Sequence, residues 1–229
     1  MRYKALIIGA GRIGAGYKWD QDLSYTHSGA YKALSDRVEL LGFLEPIVER
    51  GAAASRKWGL PYFTSPLEST VKELKPDILS ICTQPETQSL IYEQLRGCSA
   101  RVLWTEKPYW GPRGFPIPTQ VNFMRRADPE HRRIAVDGKN HPVLYINGKL
   151  DHHTVPHFED LARFWKVETI NYTICPGPCS YMLDYGSFSK EGLVRFPNGG
   201  VDGGKCFKGM LENIIAFLDN GTPLWSPAP

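Results

Sequence analysis

The sequence predicts an α/β protein with a doubly wound parallel sheet in its first half. The second half reads as α+β with a mainly antiparallel open sheet. Three observations carry this. Short apolar runs that end in glycine or an acid alternate with helical stretches as far as Trp110. A glycine-rich turn, "GAGRIGAG" (9–16), follows the first such run directly. After Trp110 the texture changes: "GPRGFPIPTQ" (111–120) holds three prolines and two glycines in ten residues.

The elements follow in order. "YKALII" (3–8) reads as a buried parallel strand, apolar along its length because both faces of such a sheet are covered. A helix is expected from Ser28 through "GAYKALSD", then a strand over "VELLGFLE", ending at Glu45-Pro46. "VERGAAASRKWG" reads as a helix stopped by Gly59. "STVKELKP" is a helix, "DILSICT" a strand, "PETQSLIYEQLRG" a helix and "RVLWTEKP" a strand. The proline-rich stretch then divides the chain into a cofactor domain, 1–115, and a compact α+β substrate and oligomerisation domain, 116–229. In the latter, "VNFMRRADPEHRRIA" reads as a strand and then a helix, and "VLYING" as a strand. "VPHFEDLARFW" has apolar residues at helical spacing. "VETINYTICP", "SYMLDYGSF" and "EGLVRFPNGG" read as strands, and "FKGMLENIIAFLDNG" as an amphipathic helix with a glycine stop.

Composition excludes several classes. A chain of 229 residues with 42% hydrophobic and 22% charged residues can bury a real core. The net charge of +3 comes without a Lys/Arg run long enough to track phosphates, which argues against nucleic acid. No apolar run approaches a membrane span. Five cysteines, an odd number, suit reduced thiols in a cytoplasm better than a disulfide framework.

Gly9, Gly11 and Gly14 spell G-x-G-x-x-G directly after a strand, with Arg12 and Ile13 between the last two. The first glycine permits a tight turn, the second lets backbone approach a pyrophosphate, and the third lets helix pack on strand. The expected ligand is a dinucleotide at the helix N-terminus. Glu45, at the end of the second strand, stands where an acid accepts hydrogen bonds from a ribose, which favours NAD. Arg12 in the loop keeps NADP as an alternative.

Five stretches together resemble the Gfo/Idh/MocA (glucose-fructose oxidoreductase / inositol dehydrogenase) family. They are "GAGRIGAGY", "DILSICTQPETQ", "TEKPYW", "VNFMRRADPEHR" and "VPHFEDLARFW". The chain would be an unusually short member, with the losses after Trp110 and Ala135. The resemblance implies a Rossmann domain and hydride transfer between nicotinamide and a sugar, cyclitol or nucleotide-sugar carbon. It implies that Glu106, Lys107 and Pro108 lie beside the nicotinamide and that Cys82, Thr83, Gln84 and Pro85 line the cofactor. His157 matches the family's histidine near the start of the substrate-domain helix, with Asp160 three residues on. Alcohol oxidation needs a proton acceptor and a group that stabilises the developing alkoxide. The expected pair is Lys107, orienting the hydroxyl, and His157, accepting the proton. His153 stands where many members carry an acid, and would share the relay or bind a sugar hydroxyl. Arg125 or Arg126 is a candidate contact for substrate. A homodimer or homotetramer through the second sheet is expected.

Two rival readings remain at this level. His152, His153 and His157, with Asp151, Glu159 or Asp160, would suit a metal hydrolase. A shortened member that binds NAD(H) or a sugar nucleotide without turnover would be a sensor or scaffold.

Overall fold

The computed structural model describes residues 2–20, 22–133, 143–148, 155–167, 169–174, 180–184, 193–196 and 201–229. Two compact units emerge. The first comprises 1–127 together with 203–229, and the second is 128–202. The division therefore differs from the expected boundary after 115. The last helix, expected in the second half, belongs to the first unit, because its apolar stripe finds its partners there.

The first unit holds a six-stranded sheet. Its strands are β1 (Tyr3–Ile8), β2 (Val38–Leu44), β3 (Tyr62–Phe63), β4 (Ile78–Ile81), β5 (Val102–Thr105) and β6 (Thr119–Val121), in the order β3-β2-β1-β4-β5-β6, with every pairing parallel. The order reverses between β1 and β4, and the crevice at such a switch point is where α/β sheets bind ligands. Ala5, Leu6 and Ile7 are fully buried, as are Ile78, Leu79 and Ile81, which is why both strands read as unbroken apolar runs.

Helices cover both faces of the sheet. They are α1 (Arg12–Ala15), α2 (His27–Ala33), α3 (Val48–Trp58), α4 (Leu67–Leu74), α5 (Pro85–Gln94) and the C-terminal helix Gly203–Asn220. On one face Leu67, Val71, Tyr92 and Leu95 pack against Leu6, Leu79 and Leu103. On the other, the C-terminal helix lies against α2. Cys206, Phe207, Met210, Leu211, Ile214, Ile215 and Leu218 form its buried stripe at helical period. The proline-rich 111–118 contains no regular element, and β6 follows it. The chain end returns to that strand: Val121 N–H donates to the Ser226 carbonyl (2.9 Å) and Ala228 N–H to that of Thr119 (2.8 Å).

The second unit contains α6 (Pro129–Arg133), α7 (Val155–Phe164) and a mixed sheet of β7 (Val143–Asn147), β8 (Thr169–Thr173), β9 (Ser180–Asp184) and β10 (Leu193–Phe196). The C-terminal helix is α8 in chain order. The sheet runs β10-β9-β7-β8, with the β10–β9 and β9–β7 pairs antiparallel and β7–β8 parallel. The mainly antiparallel expectation thus holds, with one parallel edge. Leu144, Ile146, Tyr181 and Leu183 meet Phe158, Leu161 and Trp165 of α7 in one core. Buried His131 stacks on Trp165 (rings 5.5 Å apart, 7° between planes), and its Nδ1 lies 2.7 Å from the Asp128 carboxylate.

Candidate active site

The glycine turn leaves β1 with Gly9 at φ +96°, a conformation L side chains rarely adopt. A Cβ on Gly14 would stand 2.3 Å from the Gly9 carbonyl oxygen, so α1 approaches the strand as closely as backbone allows. Nothing lies within 4 Å of where a Gly11 Cβ would point. One expectation needs correction. The helix after the turn is a single turn, Arg12–Ala15, ended by Gly16 in the left-handed region, and a long loop precedes α2. A single turn sums few peptide dipoles, so an anion at this turn would meet the loop's own amides rather than the end of a long helix axis.

A cavity of about 500 Å³ opens over this turn, bordered by Gly9, Gly11, Glu45, Cys82, Thr83 and Gln84. Six of the expected cofactor-binding residues therefore surround one space. Arg12, Ile13 and Gly14 continue the turn, and Pro85 is the first residue of α5, with Gln84 at its N-cap.

Glu45 is 3% exposed and braces the cavity. Its Oε2 accepts from Ala10 N–H (2.9 Å) and its Oε1 from Ile47 N–H (3.0 Å). A carboxylate has about four acceptor positions, so each oxygen keeps one for a ligand hydroxyl. At the other end, the buried Thr83 hydroxyl makes no hydrogen bond among the described residues. The open space at Gly11, the remaining Glu45 lone pairs and the orphaned Thr83 hydroxyl fit a dinucleotide with a ribose diol. The Cys82 thiol lies well above its ordinary pKa, first through burial and then through the charge of Glu106, so it stays a protonated, inert lining group.

Lys107 follows β5, and the Lys107–Pro108 peptide is cis. The turn is pinned from beneath by fully buried Gln88 of α5. Gln88 donates to the Glu106 carbonyl (3.3 Å) and accepts from Trp110 N–H (3.1 Å), clamping the turn on either side of Lys107 and Pro108. The Glu106 Oε1 lies 3.0 Å from His27 Nε2 and accepts from Asn122 Nδ2 at 2.5 Å. Sequence reasoning missed Gln88 and Asn122. The available signal for Gln88 was its spacing of four from Tyr92 on α5, which puts both on the buried face. Tyr31 and His27 are buried packing partners of Trp104.

Of the remaining candidates, Arg125 and Arg126 lie in the 3-10 turn Met124–Ala127 of the first unit. Arg126 donates to the Trp225 carbonyl at 2.5 Å, a structural tie to the chain end. His157 and Asp160 are buried on α7 of the second unit, one turn apart on the same side. His153, His152, Asp151 and the Cys175–Cys179 stretch lie outside the described residues. Among the described residues no group of three His, Cys, Asp or Glu could hold a metal ion. No described helix is long and apolar enough to cross a membrane.

Comparison with known proteins agrees with this geometry. No curated protein sequence matches the chain. Solved structures do match, at identities that speak for the fold. The UDP-N-acetylglucosamine 3-dehydrogenase GnnA of Acidithiobacillus ferrooxidans aligns with a TM-score of 0.72 at 12% identity, over 99% of this chain and 92% of that one. A myo-inositol dehydrogenase from Corynebacterium glutamicum aligns with 0.67 at 15%, over 97% and 90%. The WlbA dehydrogenase of Bordetella pertussis, solved with NADH and UDP-GlcNAcA, aligns with 0.65 at 15%, over 99% and 91%. Residues 3–110 match the sequence model of the Gfo/Idh/MocA oxidoreductase family, described by its NAD-binding Rossmann fold.

Proposed function

We propose that this protein transfers a hydride between a nicotinamide dinucleotide and a hydroxyl- or keto-bearing carbon of a sugar, cyclitol or nucleotide sugar. The observation that carries the reading is the clamped turn at Glu106–Trp110, which presents Lys107 from the strand end next to the one that lines the dinucleotide cavity. The dinucleotide, held by Gly9, Gly11, Glu45 and Thr83, supplies the hydride acceptor or donor. Lys107 orients the substrate hydroxyl and stabilises negative charge on its oxygen. His157 takes the proton, with Asp160 one turn on to orient the ring and His153 as a further candidate for the relay. Glu45 favours NAD over NADP, since a carboxylate at the ribose repels a 2′-phosphate. The neighbours named for UDP-N-acetylglucosamine and inositol chemistry support the substrate classes.

The same reading includes a homodimer or homotetramer through the second sheet. Its α7 side is covered, while Tyr145 and Met182, which alternate with the covered residues, remain half-exposed.

The test is titration of the full chain with NADH and NADPH by fluorescence, followed by a screen of sugars and nucleotide sugars for change in nicotinamide absorbance. Lys107→Met should keep NADH affinity within about threefold and lower kcat by roughly 10²-fold or more, the range of lost charge stabilisation. Binding without turnover on any substrate would favour a sensor, and binding of neither dinucleotide would remove the proposal.

A further inference from the structure

We propose that His27 is a positioning residue that fixes the Glu106 carboxylate beside the floor of the dinucleotide cavity, and so biases the site toward oxidised over reduced nicotinamide. The inference rests on the dinucleotide reading above.

His27 is fully buried at the start of α2. Its ring centroid lies 3.9 Å from that of Trp104 and 5.5 Å from that of Phe207, so the imidazole cannot turn freely. Both ring nitrogens are engaged: Nδ1 is 3.1 Å from Ser80 Oγ and Nε2 is 3.0 Å from Glu106 Oε1. Ser80 Oγ is in turn 2.8 Å from the Tyr31 hydroxyl. One direction of donation satisfies every member. Burial raises the Tyr31 pKa, so its hydroxyl keeps its proton and donates to Ser80. Ser80 donates to Nδ1, and the neutral imidazole donates its Nε2–H to Glu106. Asn122 adds a second donor to the same oxygen. Each of these donors is a neutral group in this arrangement, so the chain holds the carboxylate's charge in place without cancelling it.

That charge acts on the cavity. Glu106 N–H donates to the Ile81 carbonyl (3.0 Å), which places the carboxylate's residue alongside Cys82, one of the cavity-lining groups. The thiol feels it, since Glu106 adds to the upward push on Cys82. A field that opposes an anion at this floor favours a cation by the same sign. The oxidised nicotinamide ring is cationic and the reduced ring is neutral. A fixed carboxylate therefore tightens the first relative to the second, and the network that fixes it sets the size of the bias.

The experiment is calorimetric titration of the full-length protein with NAD+ and, separately, NADH, for wild type, Glu106→Gln, His27→Leu, His27→Asn and His27→Gln. Far-UV circular dichroism checks each fold. The readout is the ratio of the two dissociation constants, which an unspecific packing defect leaves unchanged because it weakens both ligands alike. Glu106→Gln should move the ratio toward NADH by roughly tenfold. His27→Leu should move it the same way by about threefold or more. His27→Gln, whose amide can still donate to Glu106, should stay near wild type. If His27→Leu fails to fold, His27→Asn carries the test, since its shorter amide reaches Ser80 and not Glu106. Wild type that binds both dinucleotides with every variant's ratio unchanged overturns the inference and leaves the dinucleotide reading standing. A shift in Glu106→Gln alone shows that the charge matters and His27 does not position it, which also overturns the proposal. Wild type that binds neither dinucleotide overturns both.

Discussion

The Glu45 carboxylate joins two amides, Ala10 N–H at the glycine turn and Ile47 N–H before α3. Glu45→Ala leaves both donors without an acceptor in a buried place. The expected cost is about 2 kcal/mol, read as a fall in melting temperature of roughly 4–8 °C, with NADH affinity lost by tenfold or more by about the same energy. The residue's place at a strand end was plain in the sequence. Its bracing role was not, because the bond to Ala10 spans 35 positions and nothing local announces it. Gln88 was hidden for a related reason: a glutamine on a helix reads as surface unless the face it shares with Tyr92 is noticed. Gln88→Leu should lower kcat while leaving NADH affinity near wild type, because it frees the Lys107 turn and touches neither the glycine turn nor Glu45. Cys82 gives a pH dependence. Its folded-state pKa lies above the ordinary 9.0, so the folded protein binds that proton more tightly than the unfolded chain. The stability from the buried thiol is complete below pH 9.0 and is lost as pH rises from there through the folded value. Tyr31 acts in the same direction. Chemical denaturation at a series of pH values should show stability falling above pH 9, less steeply in Cys82→Ala.

At the scale of elements, the alternation of apolar strand and amphipathic helix was legible from "YKALII" to "RVLWT" because each signal sits within a few residues. The two-residue β3 was not, since "YF" carries no period at all. The glycine turn was legible in kind, while the shortness of α1 was masked by the apolar and small residues that follow it. The turn gives a contrast between two glycines. Gly14→Ala must displace the Gly9 carbonyl from a Cβ at 2.3 Å, so it should lower both thermal stability and NADH affinity. Gly11→Ala meets nothing within 4 Å, so its melting temperature should match wild type. Its NADH affinity should still fall, by about tenfold, if that empty space is where the pyrophosphate approaches backbone. Differential scanning fluorimetry beside fluorescence titration separates the two substitutions.

For the whole molecule, the homes of the segments were the least legible feature. The stripe from Cys206 to Leu218 announces a helix with one apolar side and is silent on which sheet that side will cover. Proline-rich "GPRGFPIPTQ" looked like a domain boundary, yet β6 pairs with β5 directly after it, and the change of unit comes near Ala127. Removing 203–229 should therefore damage the first unit, 75 residues distant in sequence, by stripping Phe207 from His27 and Ser226 from Val121. The expected outcome is loss of the cooperative melting transition of the first unit and of NADH binding, measured by circular dichroism and fluorescence.

The return of the chain end to β6 also sets an order of events during synthesis. The second unit is one continuous segment, so all its parts leave the ribosome together and can collapse as they emerge. The first unit cannot be finished at that stage, although its six strands have already been made. Until 203–229 appear, the sheet face against α2 lacks its cover and β6 lacks its closing neighbour. The nascent chain therefore carries an exposed apolar surface through the whole translation of 128–202, and 203–229 are the residues that remove it.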